Sequence, residues 1–470
     1  MKRLFCIALI ALSFTATTSA QHNLRTGYFL DGYAYKHKLN PAFGGDRGYF
    51  AIPVAGYATL GVESNLALST FLYPTADGRL TTFMSPDVSA DEFLSKIHNN
   101  NPLNVNTDIS LISLGFNAGK SFNTLDLSLK ADVRANVPGA MFSWAKQCGN
   151  TLDMSNFGLN ADARLELAYG FSYKIGDWLR FGFKLKALAG LVKADYSMDK
   201  LTLTMNEDKW MVDSYGKGYF RAPGIGLSAD GEDGAISGLN MPSDYNVILD
   251  DFLKFRNLGA AVDLGISMDL IKYLTVSASV TDLGFIKWND VTGIGSAESR
   301  LEYSGFENIG EEKVSIGDQF SALGEDALEM ISPKIMSEGE TLTDMLSMTA
   351  HLGLEFRMPF WQRLSVGALG TYRFDGPYSW WEARGSVNLA LLRWLSFSGN
   401  YAYSSFGASY GAAVNLHPGG INLFIGIDSF KPALNVTPQY VPIDNLNTNV
   451  AFGLNIAFGK YKGRFPKKQK

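Results

Sequence analysis

The stretch NVAFGLNIAF, residues 449–458, decides the fold. Val450, Phe452, Leu454, Ile456 and Phe458 interleave with Asn449, Ala451, Gly453, Asn455 and Ala457, so one face is oily and the other small or polar. Successive side chains of a strand point to opposite faces, and strict alternation therefore describes a strand with one greasy and one polar environment. A two-sheet sandwich produces the same alternation in runs of about five or six residues. The runs here reach about ten, the length needed to cross a bilayer at a tilt.

Outward from this strand, four segments repeat one layout: YKIGDWLRFGFKL (173–185), DLIKYLTVSASV (269–280), RMPFWQRLSVGAL (357–369) and LALLRWLSFSGNY (389–401). Each is a pair of alternating runs joined by a tight turn, marked by Trp178, Tyr273, Trp361 and Trp394. Indole and phenol rings favour the headgroup level of a membrane, so these turns suit one rim of a barrel. Consecutive runs place strands near 49–62, 108–119, 123–135, 162–175, 178–191, 258–271, 274–286, 347–358, 363–375, 380–392, 395–405, 408–416, 420–428 and 448–459. The expected fold class is all-β, a transmembrane antiparallel β-barrel of about 14 strands.

An even count starting in the periplasm returns the chain there, puts the aromatic turns on that side, and places the long connections 192–257 and 287–346 outside. Short helices are expected in the outer loops. Ser89 and Glu92 form a capping box before Phe93, Leu94 and Ile97, and Ser243 with Asp244 precedes Ile248, Leu249 and Phe252. Phe320–Ile331 carries Leu323, Ala327, Leu328 and Ile331 at helical spacing.

Composition agrees. Charged residues are 19%, aromatics 13% and glycines 48 of 470, unusual proportions for a soluble enzyme. Beyond the N-terminus no apolar run reaches the roughly 18 residues a spanning helix requires, and a membrane protein without such helices must close a barrel. Lys2, Arg3, the apolar stretch Leu4–Phe14 and Thr18-Ser19-Ala20 predict a signal peptide over 1–20. Gln21, at the cleavage point, argues against a lipoprotein anchor. Cys6 leaves with the signal peptide, and Cys148 alone permits no intrachain disulfide.

Loop 192–257 holds 11 acidic and 7 basic residues, and 287–346 holds 13 and 4, so the outer rim is acidic. The tail 460–470 is basic, with Lys460, Lys462, Arg464, Lys467, Lys468 and Lys470. A periplasmic tail meets no nucleic acid, and none is expected as a partner.

The segment TGYFLDGYAYKHKLNPAFGGDRGYFAIP (26–53), followed by VESNLALSTFLYPTADGRLTTFMSPDVSADEFL (62–94), resembles a domain family of unknown function found in outer-membrane barrels of Gram-negative bacteria. The likeness runs through most of the mature chain. Asn40-Pro41-Ala42 is also similar to the entry motif of long-chain fatty-acid transporter barrels and related secretion-associated barrels. The broader resemblance implies a 14-stranded barrel over 48–459 whose N-terminal segment, 21–47, folds back into the lumen as a hatch. Tyr28, Phe29, Tyr33, Tyr35 and Phe43, with Asn40 and Pro41, would be the hatch residues that pack inside.

With the oily face toward lipid, the opposite face carries Lys130, Asp132 and Arg134 on one strand, Arg164 and Glu166 on the next, and Arg180, Lys184 and Lys186 on the third. Farther round, Glu355 and Arg357, then Glu382 and Arg384, point inward. Charges facing lipid would cost about 2–4 kcal/mol each at the bilayer midplane, so their placement supports the facing. The functional reading is a conduit with a net positive, anion-attracting wall. The structural reading is a ladder of ion pairs that fills the lumen or holds the hatch. These charged faces depart from the fatty-acid transporter pattern.

Gly407-Ala408-Ser409-Tyr410-Gly411 matches the Gly-x-Ser-x-Gly pattern, but that motif works as a strand-to-helix elbow, and here it falls in a hairpin. GFNAGKS (115–121) is one residue short of a phosphate loop. His22, His37, His98, His351 and His417 lack metal-ligand spacing, and the 230–234 acidic cluster lacks that of a calcium loop. No catalytic residue, metal or cofactor is expected.

The function expected is an outer-membrane channel or hatch-gated transporter for a small solute, hydrophobic or anionic, which docks first on the outer loops. The alternative is a non-transporting barrel that scaffolds or shuttles envelope or secretion partners. Other expected partners are outer-membrane lipid, lipopolysaccharide and the barrel-assembly machinery.

Overall fold

Each alternating run forms a strand, and hydrogen bonding carries the sheet round until its last strand meets its first. The structure, a computed structural model, describes residues 23–75, 80–147, 149–206, 209–230, 235–303, 333–430 and 448–461. The staves are β1 (Gly48–Ala51) and β2 (Ala58–Ser64), which share the first position, then β3 (Asn100–Ala118), β4 (Ser121–Pro138), β5 (Gly158–Ile175), β6 (Leu179–Met205), β7 (Leu258–Ile271) and β8 (Leu274–Tyr303). They continue with β9 (Met348–Arg357), β10 (Leu364–Phe374), β11 (Trp380–Leu392), β12 (Leu395–Ser404), β13 (Gly407–Leu416), β14 (Ile421–Phe430) and β15 (Thr448–Phe458). Closure is antiparallel, with Gly48 opposite Phe458 and Ala58 opposite Phe452. The result is a closed barrel of 14 strands.

The first stave breaks at 52–57, where Pro53 has no N–H to give and Val54 takes φ +64°. The break is stitched rather than open. Val54 N–H donates to Ser110 O at 3.0 Å, Ser110 N–H to Tyr57 O at 2.9 Å, and Leu454 N–H to Ala55 O at 2.8 Å.

Two-residue alternation is visible in the burial. Phe452, Ile456 and Phe458 are 42–53% exposed while Asn449, Ala451 and Asn455 are fully enclosed. The outward row repeats in Leu185, Leu352, Val387 and Ile425. Among the described residues no helix is long and apolar enough to cross a membrane.

The long connections differ from expectation. Where short helices were expected, most of the described chain is strand: β6 and β8 run on to Met205 and Tyr303, and Trp210–Arg221 pairs with both. The hairpin Gly226–Asp230/Ala235–Asn240 and the strand Lys334–Met345 extend this outer sheet. The cause is edge pairing, since two strands projecting past the rim would leave N–H and C=O groups unpaired. The helix Tyr245–Leu253 does form, as does Ala90–Leu94, whose N-cap Ser89 Oγ accepts from Glu92 N–H at 3.1 Å. A helix at Gly139–Gln147 was not anticipated. The expected helix at 320–331, the signal peptide and most of the basic tail lie outside the described residues.

Candidate functional site

The interior is occupied by the protein's own N-terminal segment. From Leu24 to Phe43 the chain bonds to inward-facing groups on staves from opposite sides of the barrel. Tyr28, Tyr33, Tyr35, Leu39 and Asn40 are each at most 3% exposed, and Pro41 is buried too. Two short 3-10 turns, Arg25–Gly27 and Ala34–Lys38, fold the segment back on itself. Tyr33, Tyr35, Tyr49, Tyr57 and Phe424 form an aromatic cluster on one side. Tyr28, Phe29 and Leu39 pack with Leu369, with Phe43 against them, on another.

Asn40-Pro41-Ala42 is a turn that locks onto the wall. Asn40 Oδ1 accepts from Ala42 N–H at 2.9 Å, and Asn40 Nδ2 donates to Ile266 O and Ala278 O at 3.3 and 3.2 Å. The wall thins to receive it. A Cβ on Gly182 would lie 2.1 Å from Pro41 O, and one on Gly265 would lie 2.1 Å from Asn40 Oδ1, so only glycine lets the two backbones approach here.

Polar contacts fix the remainder. Asp428 accepts from Arg25 N–H at 2.9 Å and Thr26 N–H at 2.6 Å, Asn455 Oδ1 from Tyr35 O–H at 2.7 Å, and Asp31 O from Ser396 O–H at 2.6 Å. At the short-turn rim Tyr461 donates to Asp31, and its ring lies 4.8 Å from that of His417.

The charged face expected from the sequence is brought together on β4, β5 and β6. Lys130 meets Glu166 at 2.8 Å, and Lys186 meets Asp263 and Asp282 at 2.7 Å each. Lys184 meets Asp126 at 3.1 Å. Arg134 bridges Asp162 and Asp375, and Arg164 reaches Asp162 and Asp132. All of these except Asp162, Asp282 and Asp375 are under 9% exposed. Glu382 and Arg384 form a two-pronged pair at 2.9 Å each. Glu355 accepts from Ser365 O–H at 2.7 Å, whereas Arg357 is half-buried at the rim, 3.7 Å from Glu355. Arg180 stands apart from the ladder and donates to Ser172 Oγ at 3.2 Å.

The net positive wall expected on these three strands is therefore corrected: its ladder cations are matched by carboxylates, Asp132 and Glu166 among those already expected and Asp126, Asp162, Asp263, Asp282 and Asp375 beyond them. Asp108, Asp126, Asp162, Asp263 and Asp428 sit on inward positions that the two-residue period would have found. Asp282 would not have been found. Counting from Ser277, Ser279 and Thr281 puts it outside, but φ +61° and a register slip opposite Val262/Leu264 turn it inward.

Near the long-loop rim an open recess of about 400 Å³ lies between the helices Ala90–Leu94 and Gly139–Gln147, lined among others by Leu94, Ile97, His98, Ser143 and Trp144. Ser409 lies in strand β13 and bonds to Ser429 Oγ at 3.3 Å, with no helix following, so the residues do not make a nucleophile elbow. His351 is buried and hydrogen-bonded to Thr371 Oγ1 at 3.1 Å.

Several solved structures are similar to the chain. The Ralstonia pickettii toluene transporter TbuX superposes with a TM-score of 0.40 at 10% identity, covering 89% of this chain and 92% of that one. The Pseudomonas putida toluene transporter TodX gives 0.38 at 10%, covering 94% and 95%, and a Pseudomonas aeruginosa FadL homologue gives 0.40 at 11%, covering 94% and 99%. Among curated proteins none matches. Residues 41–428 match the Family of unknown function (DUF5723), and the chain belongs to that family.

Proposed function

We propose that the protein is an outer-membrane channel for a small solute, gated by its N-terminal segment. The location rests on the outward belt. Rows of leucine, isoleucine, valine and aromatic side chains half-exposed on successive staves form an apolar surface far larger than a few hundred Å², which water does not tolerate and lipid covers. The gate rests on one observation: residues 24–43, tethered to β1 through 44–47, are held in the lumen by noncovalent packing, by polar contacts and by a glycine-thinned wall. Such contacts can be exchanged for water or solute when the segment moves.

The outer sheet supports a second reading, a scaffold that presents β6, Trp210–Arg221 and β8 beyond the barrel as a platform for envelope partners. In either reading the protein is not an enzyme.

Gly182→Leu tests the gate. The new side chain occupies the place of Pro41 O, so the segment cannot seat, while the outward face of β6 is untouched. Liposomes carrying the variant should swell rapidly in arabinose and those carrying the wild-type protein slowly. Equal, negligible swelling for both, with the variant folded, would leave the scaffold reading in place.

A further inference from the structure

The gate's two innermost cations occupy sites of one design. Arg25 is 3% exposed, and its guanidinium lies 3.2 Å from Glu63, 3.3 Å from Glu382 and 3.7 Å from Asp428, with its carbon 4.8 Å from the centre of the Trp380 ring. Lys38 is 7% exposed, and its ammonium lies 2.8 and 2.7 Å from the two oxygens of Asp108 and 4.2 Å from the centre of the Tyr57 ring. Carboxylate on one side and an aromatic face on another is the chemistry that recognises organic cations, because the ring quadrupole and the carboxylate both favour positive charge.

The carboxylates and rings of both sites belong to the barrel or to the chain entering it, whereas both cations belong to the segment. At the first site three carboxylates stand around Arg25, and Arg384, paired with Glu382 and 3.9 Å from Asp428, balances part of their charge but not all of it. Moving the segment away leaves buried carboxylates short of positive charge, a costly state that a cationic guest would relieve. Seating the segment and holding such a guest are then competing uses of one set of groups.

From this geometry we infer that the lumen is built for small organic cations, amines and guanidines, and that Arg25 and Lys38 stand in for them while the channel is shut. The inference rests on the gate reading and replaces the hydrophobic or anionic cargo expected from the sequence. A cationic solute arriving would displace its own likeness from the wall, so opening would be driven by the solute itself.

Two experiments on the full-length protein separate this from the gate itself. In the first, Arg25→Ala in detergent is titrated with methylguanidinium chloride at millimolar concentration. The thermal midpoint should rise toward the wild-type value, with no comparable rise in sodium chloride of equal strength. Equal protection by both salts overturns the inference. In the second, proteoliposomes of the wild-type protein and of Gly182→Leu are loaded with agmatine, benzoate or arabinose. Agmatine flux should exceed benzoate flux by roughly tenfold or more, as charge-focused clefts achieve.

Arabinose flux through Gly182→Leu without preference for agmatine overturns the cation assignment and leaves the gate standing. No flux of any probe, together with methylguanidinium rescue of Arg25→Ala, overturns the gate and leaves the cation sites standing. If Arg25→Ala fails to fold, the agmatine-to-benzoate ratio of the wild-type protein and Gly182→Leu decides alone.

Discussion

Lys38 Nζ touches both carboxylate oxygens of Asp108, joining the N-terminal segment to the third strand element by a pair with neither partner more than 7% exposed. Breaking such a pair from one side leaves an uncompensated buried charge and costs about 3–5 kcal/mol, whereas removing both partners costs much less. Lys38→Ala should therefore loosen the segment, seen as faster hydrogen exchange at the amides of 28–43 with the strand amides unchanged. Adding Asp108→Asn to Lys38→Ala should restore most of the protection. If the double variant exchanges as fast as the single one, the pair is not what holds the segment.

His37 makes seating depend on pH. Burial, and then the Lys184 ammonium 3.1 Å from Nδ1, push its pKa from 6.5 down to about 3, against the opposing pull of Asp126 at 3.8 Å. With the ammonium at Nδ1, the neutral ring donates its Nε2–H to the Tyr49 hydroxyl oxygen at 2.7 Å, and Lys38 adds to the depression. Above pH 6.5 the imidazole is neutral whether the segment is seated or released, and seating has its full strength. Below 6.5 the released segment gains a proton that the seated one refuses, so seating weakens progressively toward pH 3. Protease cleavage within 28–43 should rise as pH falls from 6.5 to 4.5 and stay flat in His37→Asn. An identical rise in that variant would assign the effect to the carboxylates instead.

The barrel was legible because one physical rule, an oily outside and a polar interior, writes itself along its staves. The seated segment was legible only by resemblance, since Tyr28, Tyr33 and Tyr35 show no period and owe their burial to a wall built elsewhere in the chain. The pairing of charges was half legible. Lys130 and Glu166 lie on inward positions of adjacent strands, but Lys186 finds Asp282 only through a register slip that alternation cannot anticipate. The outer sheet escaped because its strands form to satisfy the projecting edges of β6 and β8, a tertiary cause with little local signature.

Leu185 tests whether the outward belt meets lipid. It is 55% exposed, beside inward-facing Lys184, and seven residues beyond the turn at Trp178, roughly 16–19 Å up the barrel axis at the usual strand rise and tilt. That is near mid-bilayer, where arginine on the lipid face costs about 2–4 kcal/mol. Met336 is 57% exposed but lies on the outer sheet, where the same substitution in water should stay within about 0.5 kcal/mol. Urea unfolding from phospholipid vesicles should show Leu185→Arg markedly destabilised and Met336→Arg nearly unchanged. Similar small effects at both positions would mean that water, not lipid, surrounds the sixth strand element, and the assignment of the belt to a membrane would fall with it.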